Sequence, residues 1–110
     1  MAAIILDEIK PVEMIPGYMA RFIHTERMTL NFLEVKAGAT VPEHAHPHEQ
    51  VSAVTEGEFE LTIEGKPVRI GPGMVVVIPS NARHSGLAIT DCKLLDIFTP
   101  VREDYKKLSG

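Results

Sequence analysis

The chain has a single cysteine in 110 residues, Cys92. No intrachain disulfide can form, and nothing argues for an oxidising compartment. It has no cluster of Lys or Arg able to track a phosphate backbone, and its formal charge is -4, which sets nucleic acid aside as a partner. No segment approaches the ~18 consecutive apolar residues of a membrane span. The start, MAAIILDEIK, lacks the positive leader and the longer apolar run of a signal peptide. A cytoplasmic protein that does not engage the membrane is the expectation. Repeats, low-complexity tracts and linkers are also missing, so one domain is expected. Before Pro100 no long stretch carries a 3.6-residue apolar period, which argues against a helical fold.

What is present is a series of short runs with strand character, punctuated by turn residues. Tyr18–Thr25 and Met28–Lys36 alternate and carry β-branched or aromatic residues. Val51–Thr55 and Glu58–Glu64 flank Glu56-Gly57, a hairpin-like turn, and Gly65-Lys66 reads as another tight turn before Pro67–Ile70. Met74–Ile78, MVVVI, is a continuous apolar run and predicts a strand buried on both faces. Gly86–Thr90 and Cys92–Thr99 complete about eight strands. The pattern predicts an all-β barrel or double-sheet jelly roll. Residues 1–16 read as an N-terminal arm with one short strand, 17–100 as the barrel, and 101–110 as a short C-terminal helix or tail.

The most informative stretch runs from Gly38 to Gly57, GATVPEHAHPHEQVSAVTEG. His44, His46 and Gln50 stand at even offsets, so along an extended strand they would share a face. His84 follows thirty-four residues after Gln50. Three imidazoles and an amide suggest a metal site, and imidazole suits Zn, Cu, Fe and Ni. Pro42 and Pro47 bracket the histidines and cannot sit in the middle of a fully bonded ladder, which places this stretch near a sheet edge or barrel rim. His48 shares the ligand parity and stands behind the other four. Glu49 has the opposite parity and would join only through a bulge. His24 reads as a strand-end histidine and Arg21 as a solvated charge. In Leu94–Arg102, LLDIFTPVR, Asp96 and Phe98 share a face with Leu94, while Leu95 and Ile97 take the other. Pattern alone does not decide which face is inward. A carboxylate on an inward apolar face is costly unless paired or used.

These residues carry a resemblance. Gly38, His44-x-His46, Gln50 and Gly57 resemble the first cupin motif, and Gly73, Pro79 and His84 resemble the second. Gln50 stands where cupins usually carry glutamate, Asn81 where they carry glycine and Ala88 where they carry asparagine. The runs HPHEQVSAVTEGEFELTIEG and MVVVIPSNARHSGLAITDCKLLDIF and the tail TPVREDYKKL are similar to the small pectin-degradation cupins of the KdgF type. The resemblance implies a jelly-roll barrel with one divalent transition metal (Ni, Zn, Mn, Fe or Co) held by His44, His46, Gln50 and His84. It implies Asp96, Phe98 and Arg102 at the substrate.

The activity so implied is the ring opening and ketonisation of 4,5-unsaturated monouronates, an isomerase-type reaction on a small anionic sugar. A homodimer is the default oligomer. Two other readings use the same residues. A metal-dependent dioxygenase would need Fe(II) or Cu with open positions. A non-catalytic cupin would bind a sugar or effector around a structural metal.

Overall fold

The computed structural model of the protein describes residues 3–108, so the outer ends of the expected arm and tail, residues 1–2 and 109–110, lie outside the described residues. A 3₁₀ turn, Leu6–Glu8, precedes ten strands. These are β1 (Val12–Ile15), β2 (Tyr18–His24), β3 (Thr29–Val35), β4 (Thr40–His44), β5 (Glu49–Glu56), β6 (Phe59–Ile63), β7 (Lys66–Ile70), β8 (Val75–Ile78), β9 (His84–Ala88) and β10 (Cys92–Thr99). One short helix, α1 (Glu103–Leu108), follows. The strands form two antiparallel sheets, a six-stranded sheet in the order β1-β2-β3-β10-β5-β8 and a four-stranded sheet in the order β4-β9-β6-β7. This is the all-β double-sheet architecture expected from the spacing of strands and turns.

The core is the shared interior of the two sheets. Phe22, Leu33, Val54, Ile78 and Leu94 face inward from the larger sheet, and Phe59, Leu61 and Ile70 from the smaller. Alternation along each strand decides this, since every second side chain returns to the same face. In β10 the pattern places Leu94 and Phe98 inside, and Leu95 and Ile97 outside and half-buried. Asp96 therefore points inward. Gly86 on β9 has a packing reason, because a Cβ there would lie 2.6 Å from the Phe59 ring.

Two expectations are corrected. Met74–Ile78 is not buried on both faces. β8 is the open edge of the larger sheet, and Val75 and Val77 are 61% and 57% exposed while Ile78 is fully buried. A continuous apolar run cannot by itself distinguish a central strand from an exposed edge strand. Likewise, His44, His46 and Gln50 do not lie along one strand. β4 ends at His44, residues 45–48 turn, and β5 begins at Glu49 in the other sheet. Pro42 sits in β4, an edge strand, and the β4–β9 register shifts between Val41 and His44. A missing N–H is tolerated there.

The turn before His84 is held by Asn81, whose φ is +64°. This is the left-handed region, which glycine enters freely and asparagine more readily than most residues with a Cβ. The Asn81 N–H donates to the His46 carbonyl at 2.8 Å, tying the two halves of the motif together. Asn81→Gly should therefore change the urea unfolding midpoint little. Asn81→Val should destabilise the fold by about 1–2 kcal/mol; equal midpoints for the two variants would refute this account of the turn.

Candidate metal centre and adjoining cavity

His44, His46 and His84 come from β4, from the loop after it, and from β9, and their ligand-type nitrogens lie within 4.8 Å of one another. His46 and His84 are buried and His44 is exposed, so the cluster opens to one side. The β4–β9 ladder sets His44 directly opposite His84.

All three rings are oriented in the same way. Each Nδ1 lies 2.9 Å from a backbone carbonyl two residues off: Pro42 for His44, His48 for His46 and Ala82 for His84. A carbonyl only accepts, so each Nδ1 carries the proton and each Nε2 keeps its lone pair. The Nε2 of His84 is buried with no partner. Tying down the far nitrogen with a hydrogen bond is how metal-binding imidazoles are commonly oriented.

Gln50 closes the arrangement. Its Nε2 donates to Ser52 Oγ at 2.9 Å, and Ser52 Oγ donates to Asp96 Oδ1 at 2.7 Å. The direction of these bonds leaves Gln50 Oε1 as a bare acceptor, 3.0 Å from His46 Nε2. With His46 Nδ1 already protonated, two lone pairs face each other. A second proton on His46 would relieve this, but burial, with the nearby Arg102 charge, lowers the His46 pKa. Burial also lowers that of His84. A divalent cation relieves the opposition without that cost. The donor set thus fits a borderline transition metal, with three imidazoles and one amide oxygen available.

Beside this cluster is a cavity of about 330 Å³. His44, Gln50, His84, Ser52, Asp96 and Phe98 reach its wall, and much of the rest is apolar, with Leu33, Phe59, Leu61 and Ile70. Burial pushes the Asp96 pKa up to about 6, against the opposing pull of Ser52, Gln50 and Arg102. Tyr18, also on the wall, is raised by its own burial and by the Asp96 charge.

Arg102 is placed differently from a free substrate clamp. Its Nε and Nη2 bind Asp104 at 3.0 and 2.7 Å, and its guanidinium lies 3.8 Å from the centre of the Tyr105 ring and 4.8 Å from that of Phe98. The hydrogen bonds from Arg102 hold Asp104 below the usual carboxylate range. Arg102 Nη1 is buried without a partner. Its backbone N–H donates to Thr29 Oγ1 at 2.9 Å, which fixes the tail against β3.

The remaining sequence candidates are not in the cluster. Glu49 is exposed on the outward parity of β5. His48 packs edge-on against the His46 ring but is not one of the three clustered histidines. His24 Nδ1 meets Thr29 Oγ1 at 2.9 Å, and Arg21 lies on the outer face of β2. Four residues that strand parity did not single out help build the site. Ser52 links Gln50 to Asp96, Asn31 stands opposite Asp96 on β3, Asp104 holds Arg102, and Tyr105 packs on Phe98 and Arg102. Ser52 shares the Gln50 parity, and that was the signal available for it.

The fold and site define a class. The cupin domain family profile matches residues 31–98, and the chain belongs to that family. Within it, KdgF proteins are similar over nearly the whole chain. The pectin degradation protein KdgF of Dickeya dadantii is 27% identical over 104 residues, covering 91% of this chain and 94% of that protein. The structure of KdgF from Halomonas sp. superposes with a TM-score of 0.90 at 29% identity, covering 96% of this chain and 98% of that one. A shorter match, 42% identical over 50 residues, is to the dimethylsulfoniopropionate lyase DddQ of Ruegeria pomeroyi. It spans 44% of this chain and only 25% of that protein. The chain is a KdgF-like cupin. No helix among the described residues is long and apolar enough to cross a membrane.

The raised Asp96 pKa has a consequence for stability. Its folded value near 6 exceeds the unfolded value of about 3.9. The ionised form is thus disfavoured by folding, and its cost appears as pH rises from about 4 through 6. In chelated protein, Asp96→Asn should raise stability by about 1–3 kcal/mol at pH 7.5 and leave it unchanged near pH 4. Thermal unfolding of both proteins across that range checks this. A stabilisation that is the same at both pH values would contradict the burial of this carboxylate as its cause.

Proposed function

We propose that this protein is a metal-dependent enzyme that ketonises 4,5-unsaturated monouronates, the sugars left by pectin or alginate lyases. The observation that carries the reading is the cluster of three imidazoles with Gln50 Oε1 3.0 Å from His46 Nε2, continued through Ser52 to Asp96. It joins a cation site to a carboxyl group of intermediate pKa on the same cavity. The full-length similarity to KdgF supports the substrate class.

In this reading His44, His46, Gln50 and His84 hold one divalent metal, which when bound supplies a Lewis acid next to the substrate oxygens. The ligand set is neutral, so the site favours an anionic substrate. Asp96 accepts the proton of the anomeric hydroxyl. The C1 carbonyl forms as the bond from C1 to the ring oxygen breaks. The electron pair on that oxygen is conjugated with the C4=C5 double bond. Protonation at C4 by Asp96 then gives the C5 ketone. The proton taken is the proton returned, and the net change is an isomerisation without co-substrate. A pKa near 6 lets one group do both.

Phe98 supplies an apolar wall for the ring. Arg102 does not itself line the cavity, but Phe98 and Tyr105, which do, pack on its guanidinium; its unpartnered Nη1 is the group available to the substrate carboxylate, while Asp104 holds the rest. The single thiol, Cys92, accords with a cytoplasmic site of action.

The test is an assay on lyase-generated unsaturated galacturonate, following loss of the unsaturated-uronate absorbance. Metal-loaded protein should accelerate that loss and chelated protein should not; no acceleration by the loaded protein would end the proposal. Asp96→Asn should slow turnover by about 10²–10⁴-fold with metal content unchanged. Unaltered turnover in that variant would remove Asp96 from the chemistry. Arg102→Lys should chiefly raise KM, because it keeps the charge but loses the fixed guanidinium geometry. An unchanged KM would exclude Arg102 as the carboxylate anchor.

A further inference from the structure

The inner face of β3 carries one polar side chain that the proposed chemistry does not use. The inward positions of β3 are Thr29, Asn31, Leu33 and Val35, all buried. Thr29 is fully engaged, since its Oγ1 accepts from the Arg102 N–H and meets His24 Nδ1. Asn31 is engaged on one side only. It is 1% exposed, it lines the cavity, and its Oδ1 has no partner. Its Nδ2 donates to Met14 Sδ at 3.4 Å. A thioether sulfur only accepts, and weakly, so the nitrogen belongs on that side and the carbonyl oxygen is the atom left free. Among the described residues Asn31 Oδ1 is the only buried side-chain oxygen without a partner.

Register sets this residue beside the reacting group. Asn31, Asp96 and Ser52 stand directly opposite one another on β3, β10 and β5. Side chains paired in this way have Cβ atoms about 5 Å apart. Ser52 donates to Asp96 from one side, whereas Asn31, on the other, donates to Met14 instead. The packing gives the amide no other purpose. Phe22, its neighbour on β2, is apolar, as are Leu33 and Leu94 on the same interior. A buried acceptor left bare costs stability, and a leucine of similar shape would avoid that cost.

We propose that Asn31 is a specificity-determining residue, whose Oδ1 accepts a hydrogen bond from a second ring hydroxyl of the substrate, next to the one that Asp96 serves. The inference rests on the uronate reading of this cavity. Two side chains at cross-strand spacing can each reach one of two neighbouring hydroxyls on a single ring. The consequence is selection between ring acids. Leu33, Phe59, Leu61 and Ile70 give the cavity an apolar wall that would suit a ring carboxylate without hydroxyls. Such a ligand would cover Asn31 Oδ1 and leave it bare, whereas a sugar acid supplies its donor. A site with a buried acceptor rejects the analogue lacking the donor far more strongly than an apolar pocket rejects an added hydroxyl.

Calorimetric titration of zinc-loaded protein with galacturonate and with cyclohexanecarboxylate tests this. Both are carboxylates on a six-membered ring, and only the first carries hydroxyls. Wild type should prefer galacturonate. Asn31→Leu should weaken galacturonate and tighten cyclohexanecarboxylate, so that the ratio of the two affinities falls about 10-fold or more. Without ligand, the urea midpoint of Asn31→Leu should be no lower than that of wild type. A further measurement needs no variant: the Asn31 Cγ resonance of the wild-type protein should move downfield as galacturonate saturates the site. A ratio equal in wild type and Asn31→Leu would overturn the proposal, as would a wild type without preference for galacturonate or a Cγ resonance that stays in place at saturation. A lower urea midpoint with that ratio unchanged would assign the amide to the fold. Turnover of unsaturated uronate with an unchanged ratio would keep the ketonising reading and end this one. A lowered ratio without turnover would do the reverse.

Discussion

Hydrogen-bond direction is the constraint on which the site depends. Asp96 accepts, Ser52 donates to it and accepts from Gln50, and the Gln50 carbonyl oxygen is left pointing at a histidine nitrogen that has no proton to give. With Asp96 ionised, each step follows from the one before it. The chain of bonds runs along the inner face of β10 and β5, whose register pairs Asp96 with Ser52. It carries the state of the carboxylate to the edge of the histidine cluster. An amide at position 50 can join such a chain because it has a donor on one side and an acceptor on the other. An ionised carboxylate could only accept, so Glu at this position would break the link to Ser52 as it stands.

The same two sheets divide the interior into unlike zones. Tyr18, Leu33, Leu61 and Ile70 make an apolar floor, and the imidazoles, Gln50, Ser52 and Asp96 gather along part of the wall. α1 and the segment before it bring Tyr105 and Arg102 against Phe98. The Arg102 amide is anchored on Thr29, a residue 73 positions earlier, so the tail is part of the barrel's wall. A buried guanidinium in that place is tolerated because Asp104 neutralises it and two aromatic rings pack on it.

Much of this was legible. Strand identity survived because alternating apolar residues and Gly or Pro turns are local signals. The inner face of β10 was left open by the pattern, since Leu94 and Phe98 on one side and Leu95 and Ile97 on the other are equally apolar. The outward positions of β10 also have apolar lateral neighbours, Phe32 and Ala53 beside Leu95 and Leu30 and Val51 beside Ile97. Asn81, a departure from the glycine of the cupin pattern, keeps the left-handed turn that the glycine would have supplied. The even spacing of His44, His46 and Gln50 indicated a site but not its construction, since the chain crosses from one sheet to the other between the first and the last of them.

Local chemistry along the chain determined the class of fold, the turns, and which side chains could serve a cation. Spacing and side-chain type are properties of neighbouring residues, and a strand shows them before it has a partner. Tertiary structure alone decided which Nε2 atoms converge, that Ser52 would join Gln50 to Asp96, and that Arg102 would be held by Asp104 beneath Tyr105. Those relations depend on register between strands far apart in sequence. A register is set by the packing of two sheets on a common core, and no single segment contains it.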